Sequence, residues 1–151
     1  ALSNSTWNAA TCNFEADGYR LPTEAEWELL ARGGENYKYA GSDNVDDVAW
    51  YTSNIRDTET REVKTKSPNG YGLYDMSGNV WEWCWNWDTG SYDTEAEGGS
   101  DPTGTSAGSD RVDRGGGWLN NSDYCAVSYR SNGGPYDRGY GLGFRVVRLA
   151  N

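Results

Sequence analysis

PNGYGLYDMSGNVWEWCWNW, residues 68–87, carries two signals in succession. The first half is punctuation: Pro68, the Asn69-Gly70 pair, Gly72 and Gly78 are residues that set turns. The second half alternates. In a strand, successive side chains point to opposite faces, so Trp81, Trp83, Trp85 and Trp87 share one face and Val80, Glu82, Cys84 and Asn86 the other. A dense turn run feeding a tryptophan-rich strand implies short strands and long loops around an aromatic core.

Upstream, LPTEAEWELLARGG (21–34) is the clearest helix. Thr23 is positioned as the N-cap and Glu26, three residues on, completes a capping box. Trp27, Leu30 and Ala31 recur at helical spacing and form the apolar face, and Gly33-Gly34 ends the helix. Residues 1–20 are polar, with Trp7, Phe14 and Tyr19 as candidate anchors. Residues 35–66 show no sustained period and read as loop. Downstream, 88–110 is rich in Gly, Ser, Thr, Asp and Glu and reads as a long surface loop. RVDRGGGW (111–118) restarts regular structure, and GLGFRVVR (141–148) reads as a closing strand.

The 151 residues suit one domain, 1–151. A hydrophobic content of 36% with net charge −10 leans toward disorder, but eight Trp and eleven Tyr bring enough apolar area to build a core with few aliphatics. With 13 Lys+Arg against 23 Asp+Glu, no nucleic-acid partner is expected. No apolar run approaches the ~20 residues of a membrane span, and no signal-peptide pattern opens the chain. The absence of histidine removes the commonest general base and zinc ligand. Cys12, Cys84 and Cys125 form no CxxC pair. Cys84 and Cys125 could pair as a disulfide or stand as two buried free thiols, and both readings remain open at this point.

YRLPTEAEWELLARGG, PNGYGLYDMSGNVWEWC, DRGGGW and GLGFR, in this order, resemble the formylglycine-generating-enzyme (sulfatase-modifying-factor) domain. The resemblance runs from about Tyr19 to Arg148 and implies an α+β, C-type lectin fold, loop-rich with short antiparallel strands and few helices. Domains of that family begin well upstream of the first motif. The resemblance therefore implies the C-terminal part of a larger domain, with the N-terminal part of the same domain as a partner. Without that partner GFRVVR would leave an exposed edge. Catalytic members carry two cysteines a few residues apart after the GG-aromatic motif, where they bind copper. Here GGGWLNNSDYCAVSYR holds Cys125 alone, so a two-sulfur copper site and catalysis are not expected. The resemblance also implies a structural calcium on the Asp75 carboxylate, the Gly78 and Val80 carbonyls and the Glu82 carboxylate. Oxygen ligands from a Gly turn and two acids suit a hard cation. In the alternative arrangement Asp75 caps the turn and Glu82 pairs with an arginine. No other cofactor is required.

Between Leu119 and Gly141, Tyr, Ser, Gly and Asn supply 14 of 23 residues. That is the composition of antibody contact loops, where Tyr gives area at small entropic cost and Ser, Gly and Asn give adaptable hydrogen bonds. An AAC asparagine codon becomes Ser, Asp, Tyr, Gly or Leu when only its adenines change, and those residues fill this stretch. The arrangement resembles the variable region of diversity-generating retroelement targets, in particular the Treponema variable proteins, which are spirochaete surface lipoproteins. It implies a hypervariable region within 111–148. The ligand-contacting positions would be Leu119, Asn120, Asn121, Asp123, Tyr124, Tyr129, Ser131, Asn132, Gly133, Gly134, Tyr136, Asp137, Gly139, Tyr140 and Gly141. Cys125, Arg130, Pro135 and Arg138 are spaced between them as framework. The expected function is non-catalytic binding of a macromolecular ligand, a protein, at the cell surface or outside the cell. A fixed carbohydrate- or protein-binding lectin-like domain is the alternative, although the sugar motifs EPN, QPD and WND are absent.

Overall fold

Helix α1, Glu24–Arg32, starts where the capping box places it. Thr23 Oγ1 accepts from the Glu26 amide at 3.2 Å, and Glu26 Oε2 accepts from the Thr23 amide at 2.7 Å. Gly33, with φ 59°, closes the helix in the left-handed conformation. The computed structural model describes residues 8–55, 59–90 and 102–149. Trp7, expected above as an anchor, lies outside them, as do residues 91–101 of the expected surface loop. Residues 35–66 contain more order than their sequence suggests: a four-residue helix, α2 (Val45–Val48), runs into β1 (Ala49–Trp50).

β1 pairs in parallel with β2, Ser77–Gly78. That contact explains Gly78. Its φ is 77°, and a Cβ there would meet the Trp50 carbonyl oxygen at 2.4 Å, so only glycine permits the approach. The main sheet has the order β5-β4-β3-β6. β3 is Trp81–Trp87 and β4 is Arg111–Arg114; they run antiparallel, with a register irregularity between Trp83 and Trp87. β5, Arg130–Gly133, adds antiparallel to β4, and β6, Leu142–Gly143, adds parallel to β3. A 3₁₀ helix, Ser122–Cys125, lies between β4 and β5. The expected closing strand is thus only two residues long, supplemented by the bridge Arg20–Val147. This is the expected α+β architecture of few helices and short strands.

Two apolar clusters fill the interior. Trp27 and Ala31 of α1 pack with Met76, Cys84, Val112 and Val127, while Tyr39, Val48, Ala49 and Tyr51 pack with Cys125 and Ala126. Cys84 and Cys125 belong to different clusters and both are free thiols, which decides between the two readings left open above.

The tryptophans of β3 are not the core. The strand buries Glu82, Cys84 and Asn86, whereas Trp81, Trp83 and Trp85 are half-buried on the outer face and only Trp87 at the end is buried. The physical reason is that the inner face meets α1 through hydrogen bonds. Asn86 Oδ1 accepts from the Glu24 amide at 2.8 Å, and Glu82 Oε2 accepts from Trp27 Nε1 at 2.7 Å. A buried polar group that is fully partnered costs little. The wide rings then stand on the opposite side, and that side carries the candidate site.

Candidate ligand-binding site

The scaffold beneath the site is held by arginines. Arg114, fully buried, donates to Glu24 Oε1 at 2.5 Å, to Glu28 Oε2 at 2.6 Å and to the Val127 carbonyl at 2.7 Å. Arg130 reaches the same Glu24 with Nε (2.8 Å to Oε1, 2.9 Å to Oε2) and Asp88 with Nη1. The two arginines tie β4 and β5 to the first turn of α1. Charge-assisted bonds of this kind are directional as well as strong. They fix where the chain leaves β4 and where it re-enters β5. The turn between them, Gly115 and Gly116, has φ of 92° and 70°. A Cβ on Gly116 would meet the Tyr124 carbonyl oxygen at 2.8 Å, so this glycine brings the 3₁₀ helix onto the sheet.

On that frame the 119–141 positions divide. Leu119, Asn121, Asp123, Asn132, Tyr136, Asp137, Gly139 and Tyr140 are exposed, with Tyr140 at 92%. Asn120, Tyr124, Tyr129, Ser131, Gly133 and Gly141 are half-buried. Gly134 is buried, and a Cβ there would meet the Tyr136 ring at 3.0 Å. Asn120 also does structural work, because its Oδ1 accepts from Trp81 Nε1 at 2.8 Å and from the Gly117 amide at 3.1 Å. Asn121 caps the 3₁₀ helix by accepting from the Asp123 amide at 3.0 Å. The stretch is not a set of free loops: Ser131, Asn132 and Gly133 lie in β5, paired to β4. Of the expected framework residues, Cys125 is buried and Arg130 is tied down, but Arg138 is exposed.

Among the exposed positions lies an aromatic cluster that joins two expected contact residues to a tryptophan of β3. Tyr124 and Tyr129 pack with tilted rings, 4.7 Å between centroids and 53° between planes, and both lie about 6 Å from the Trp81 ring (6.2 and 6.1 Å). Further along β3, Arg111 lies across Trp87 and Trp85, its guanidinium carbon 3.6 and 4.6 Å from their centroids. Trp81, Trp83, Trp85 and Arg111 were missed as site residues. The signal available was the company of β3: its inward positions include a Glu and an Asn. Beside them Asp113 is buried, with Oδ1 lacking a hydrogen-bond partner. Burial pushes its carboxyl up to about 6, opposed by the Ser131 hydroxyl and aided by the charges of Asp137 and Asp88.

The thiols are chemically quiet. Burial pushes Cys125 up to about 12 and Cys84 well above its ordinary value, so neither is the thiolate that redox or metal chemistry uses at neutral pH. The calcium ligand set also fits poorly. Both Glu82 oxygens are taken by Arg145, with Nε to Oε2 at 2.5 Å and Nη2 to Oε1 at 2.7 Å, and Arg145 Nη2 further reaches the Tyr74 and Asp75 carbonyls. Asp75 Oδ2 accepts from the Lys64 amide at 2.9 Å. The guanidinium supplies the positive charge that a cation would bring, which is the arginine-pairing alternative. Among the described residues no three His, Cys, Asp or Glu side chains converge as metal ligands, and no helix is long and apolar enough to cross a membrane.

Comparison with known proteins places this geometry among relatives of mixed occupation. Residues 2–150 match the model of the sulfatase-modifying factor enzyme 1-like domain. The solved structure of Treponema denticola variable protein 1 superposes with a TM-score of 0.85 at 45% identity, covering 95% of this chain and 52% of that one. The formylglycine-generating enzyme of Streptomyces coelicolor is 39% identical over 97% of this chain and 52% of its own length. The chaperone protein LppX of Paenibacillus barcinonensis is 37% identical over 96% of this chain and 54% of its own. The chain thus spans about half the length of these relatives.

Proposed function

The chain belongs to the family of sulfatase-modifying factor enzyme 1-like domains, and from that premise we propose that it is a non-catalytic binding domain. Its surface over β3–β5, built from positions within 119–141, contacts a macromolecular ligand, a protein, and is rewritten by a diversity-generating retroelement. The observation that carries this reading is the separation of roles within one stretch. Glu24, Arg114 and Arg130 hold the frame from below, while most positions of adenine-derived residue type stand exposed or half-exposed above it. Likeness to a Treponema variable protein supports it. Tyr124, Tyr129, Tyr136 and Tyr140 are the expected hot spots. The place of action is the cell surface or outside the cell, because a varied binding surface is useful where ligands vary. An N-terminal portion of the same domain is proposed to pack beside the Arg20–Val147 bridge, where Val146 and Leu149 are 50% and 44% exposed.

The coding sequence tests diversification directly. A near-copy of the codons for 111–148, differing at adenines and lying beside a reverse transcriptase, is expected. Its absence leaves a fixed binder. A second reading, oxidation of a substrate cysteine to formylglycine, is favoured by the 39% identity to an enzyme of that name. Against it stands Cys125, single in its region and held as a protonated thiol by burial. Copper-dependent aldehyde formation on a cysteine peptide by this protein would decide for the enzyme.

A further inference from the structure

The outer face of the sheet holds a cavity of about 400 Å³, within the roughly 300–1,000 Å³ usual for small-ligand sites. Trp83, Trp85, Tyr136 and Phe144 give it apolar walls, and Arg111 and Arg138 also line it. Neither arginine meets a carboxylate among the described residues. Arg20, Arg114, Arg130 and Arg145 each meet a carboxylate. Arg111 is only 8% exposed, yet among the described residues its partners are the Trp85 carbonyl and two ring faces. Burial pushes it down to about 10 with no acid opposing the shift. Arg138 is exposed and has no ion pair among the described residues. Asp137 lines the cavity too, but its Oδ2 accepts from the Gly134 amide at 2.9 Å. In a chain of net charge −10, the lining of this cavity sets two arginines against one carboxylate, Asp137, beside aromatic surface, with Asp113 buried close behind.

We propose that the cavity is an anchor site for an apolar residue accompanied by a carboxylate, presented by an acidic peptide segment of the partner. The side chain enters between Trp83, Trp85 and Phe144, and the carboxylate meets the free donors of Arg111 and Arg138. A guanidinium has five N–H groups, so the Trp85 carbonyl leaves Arg111 others to give. A carboxylate would supply the charge-assisted bonds that Arg111 lacks. Trp83, Trp85, Arg111 and Phe144 lie outside 119–141, and Arg138 is one of the expected framework positions within it, whereas Tyr136 belongs to the expected varied set. The site would therefore supply constant affinity beneath a changing rim. The inference rests on the proposed binding surface for its biological occupant, but small probes examine it separately.

The probes are N-acetyl-phenylalanine, with a free carboxylate, and its amide, each titrated into the protein while the indole N–H resonances of Trp83 and Trp85 are followed by NMR. Saturable shifts are expected with the acid, and binding about tenfold weaker with the amide, equivalent to ~1.4 kcal/mol. Arg138→Gln should bring the acid down to the level of the amide, and Tyr124→Ala should change neither. Equal affinity of acid and amide, or no shift with either, overturns the proposal. Those results leave the binding-surface reading intact, because that stands or falls with the tyrosine variants.

Discussion

Asp113 shows how a single residue couples stability to pH. Its carboxyl titrates at about 6 in the fold against an ordinary 3.8, chiefly because it is desolvated. Between those values the folded chain holds a proton that the unfolded chain has lost. Stability from this group is therefore highest below 3.8, declines as pH rises toward about 6, and stays reduced above. At ~1.4 kcal/mol per pH unit the full effect is on the order of 2–3 kcal/mol. Glu26 and Glu28 act in the opposite sense: arginine partners outweigh desolvation and hold both below 4.5, so their contribution is lost as pH falls through the acid range. Asp113→Asn should melt higher than the parent at pH 7 and lose the slope between pH 4.5 and 6.5. Parallel melting curves for the two chains across that range would show that another group is responsible. The tyrosines differ among themselves. Tyr140→Ala and Tyr136→Ala remove exposed side chains (92% and 48%) and should shift stability by no more than about 0.5 kcal/mol. Tyr124→Ala opens the cluster with Tyr129 and Trp81 and should cost about 1 kcal/mol. All three should lose the partner captured by the parent chain. Retention of that partner by the triple variant would place the binding surface elsewhere.

At the scale of elements, α1 and the Gly115–Gly116 turn carry the frame. Trp27 is fully buried and donates to Glu82; Trp27→Ala should cost roughly 3–5 kcal/mol, a large part of a small domain's stability. Gly116→Ala acts by a different route. It forces a side chain into positive φ and against the Tyr124 backbone, worth roughly 1–3 kcal/mol in strain alone. Because that backbone belongs to the 3₁₀ helix, the variant should also displace Asn121, Asp123 and Tyr124, and so lose binding even where it remains folded. Native binding together with an unchanged melting temperature would mean the turn is not what seats that helix. The pairing of β5 to β4 explains why R-S-N-G, with poor strand propensity, forms a strand at all: Arg130 is anchored at one end by Glu24 and Asp88.

Across the whole molecule, charge pairing ties distant elements together: the Glu82 carboxylate is engaged by Arg145, and Cys84 and Cys125 are free thiols. Glu82, Arg145 and Trp27 join β3, the C-terminal segment and α1 at one buried point. Removing one member of such a pair leaves the other charged and unpaired, which typically costs 3–5 kcal/mol. Arg145→Met should therefore unfold the protein at markedly lower temperature. Chelator, by contrast, should leave the melting temperature of the parent unchanged. An ion that bound only the native state would stabilise it by linkage, so a fall of several degrees with chelator on metal-loaded protein would restore calcium to this turn.

The sequence by itself determined the pieces whose cause is local. The cap at Thr23, the stop at Gly33, the dense turns of 67–79 and the alternation of 81–87 each follow from residues a few positions apart, and their order points to the family. That most of 119–141 is exposed or half-exposed also follows from composition, since Tyr, Ser, Gly and Asn are poor core. What only the tertiary structure decided is which way β3 faces. Alternation is symmetric: it says that Trp and Glu–Cys–Asn lie on opposite sides, not which side is in. Hydrophobicity alone turns the tryptophans inward. They face outward because Glu82 and Asn86 find their partners on α1 and near the C-terminus, at Trp27, Glu24 and Arg145, more than fifty residues away in sequence. Polar groups satisfied at that distance leave no local pattern, and the face they turned outward is the one that holds the candidate site.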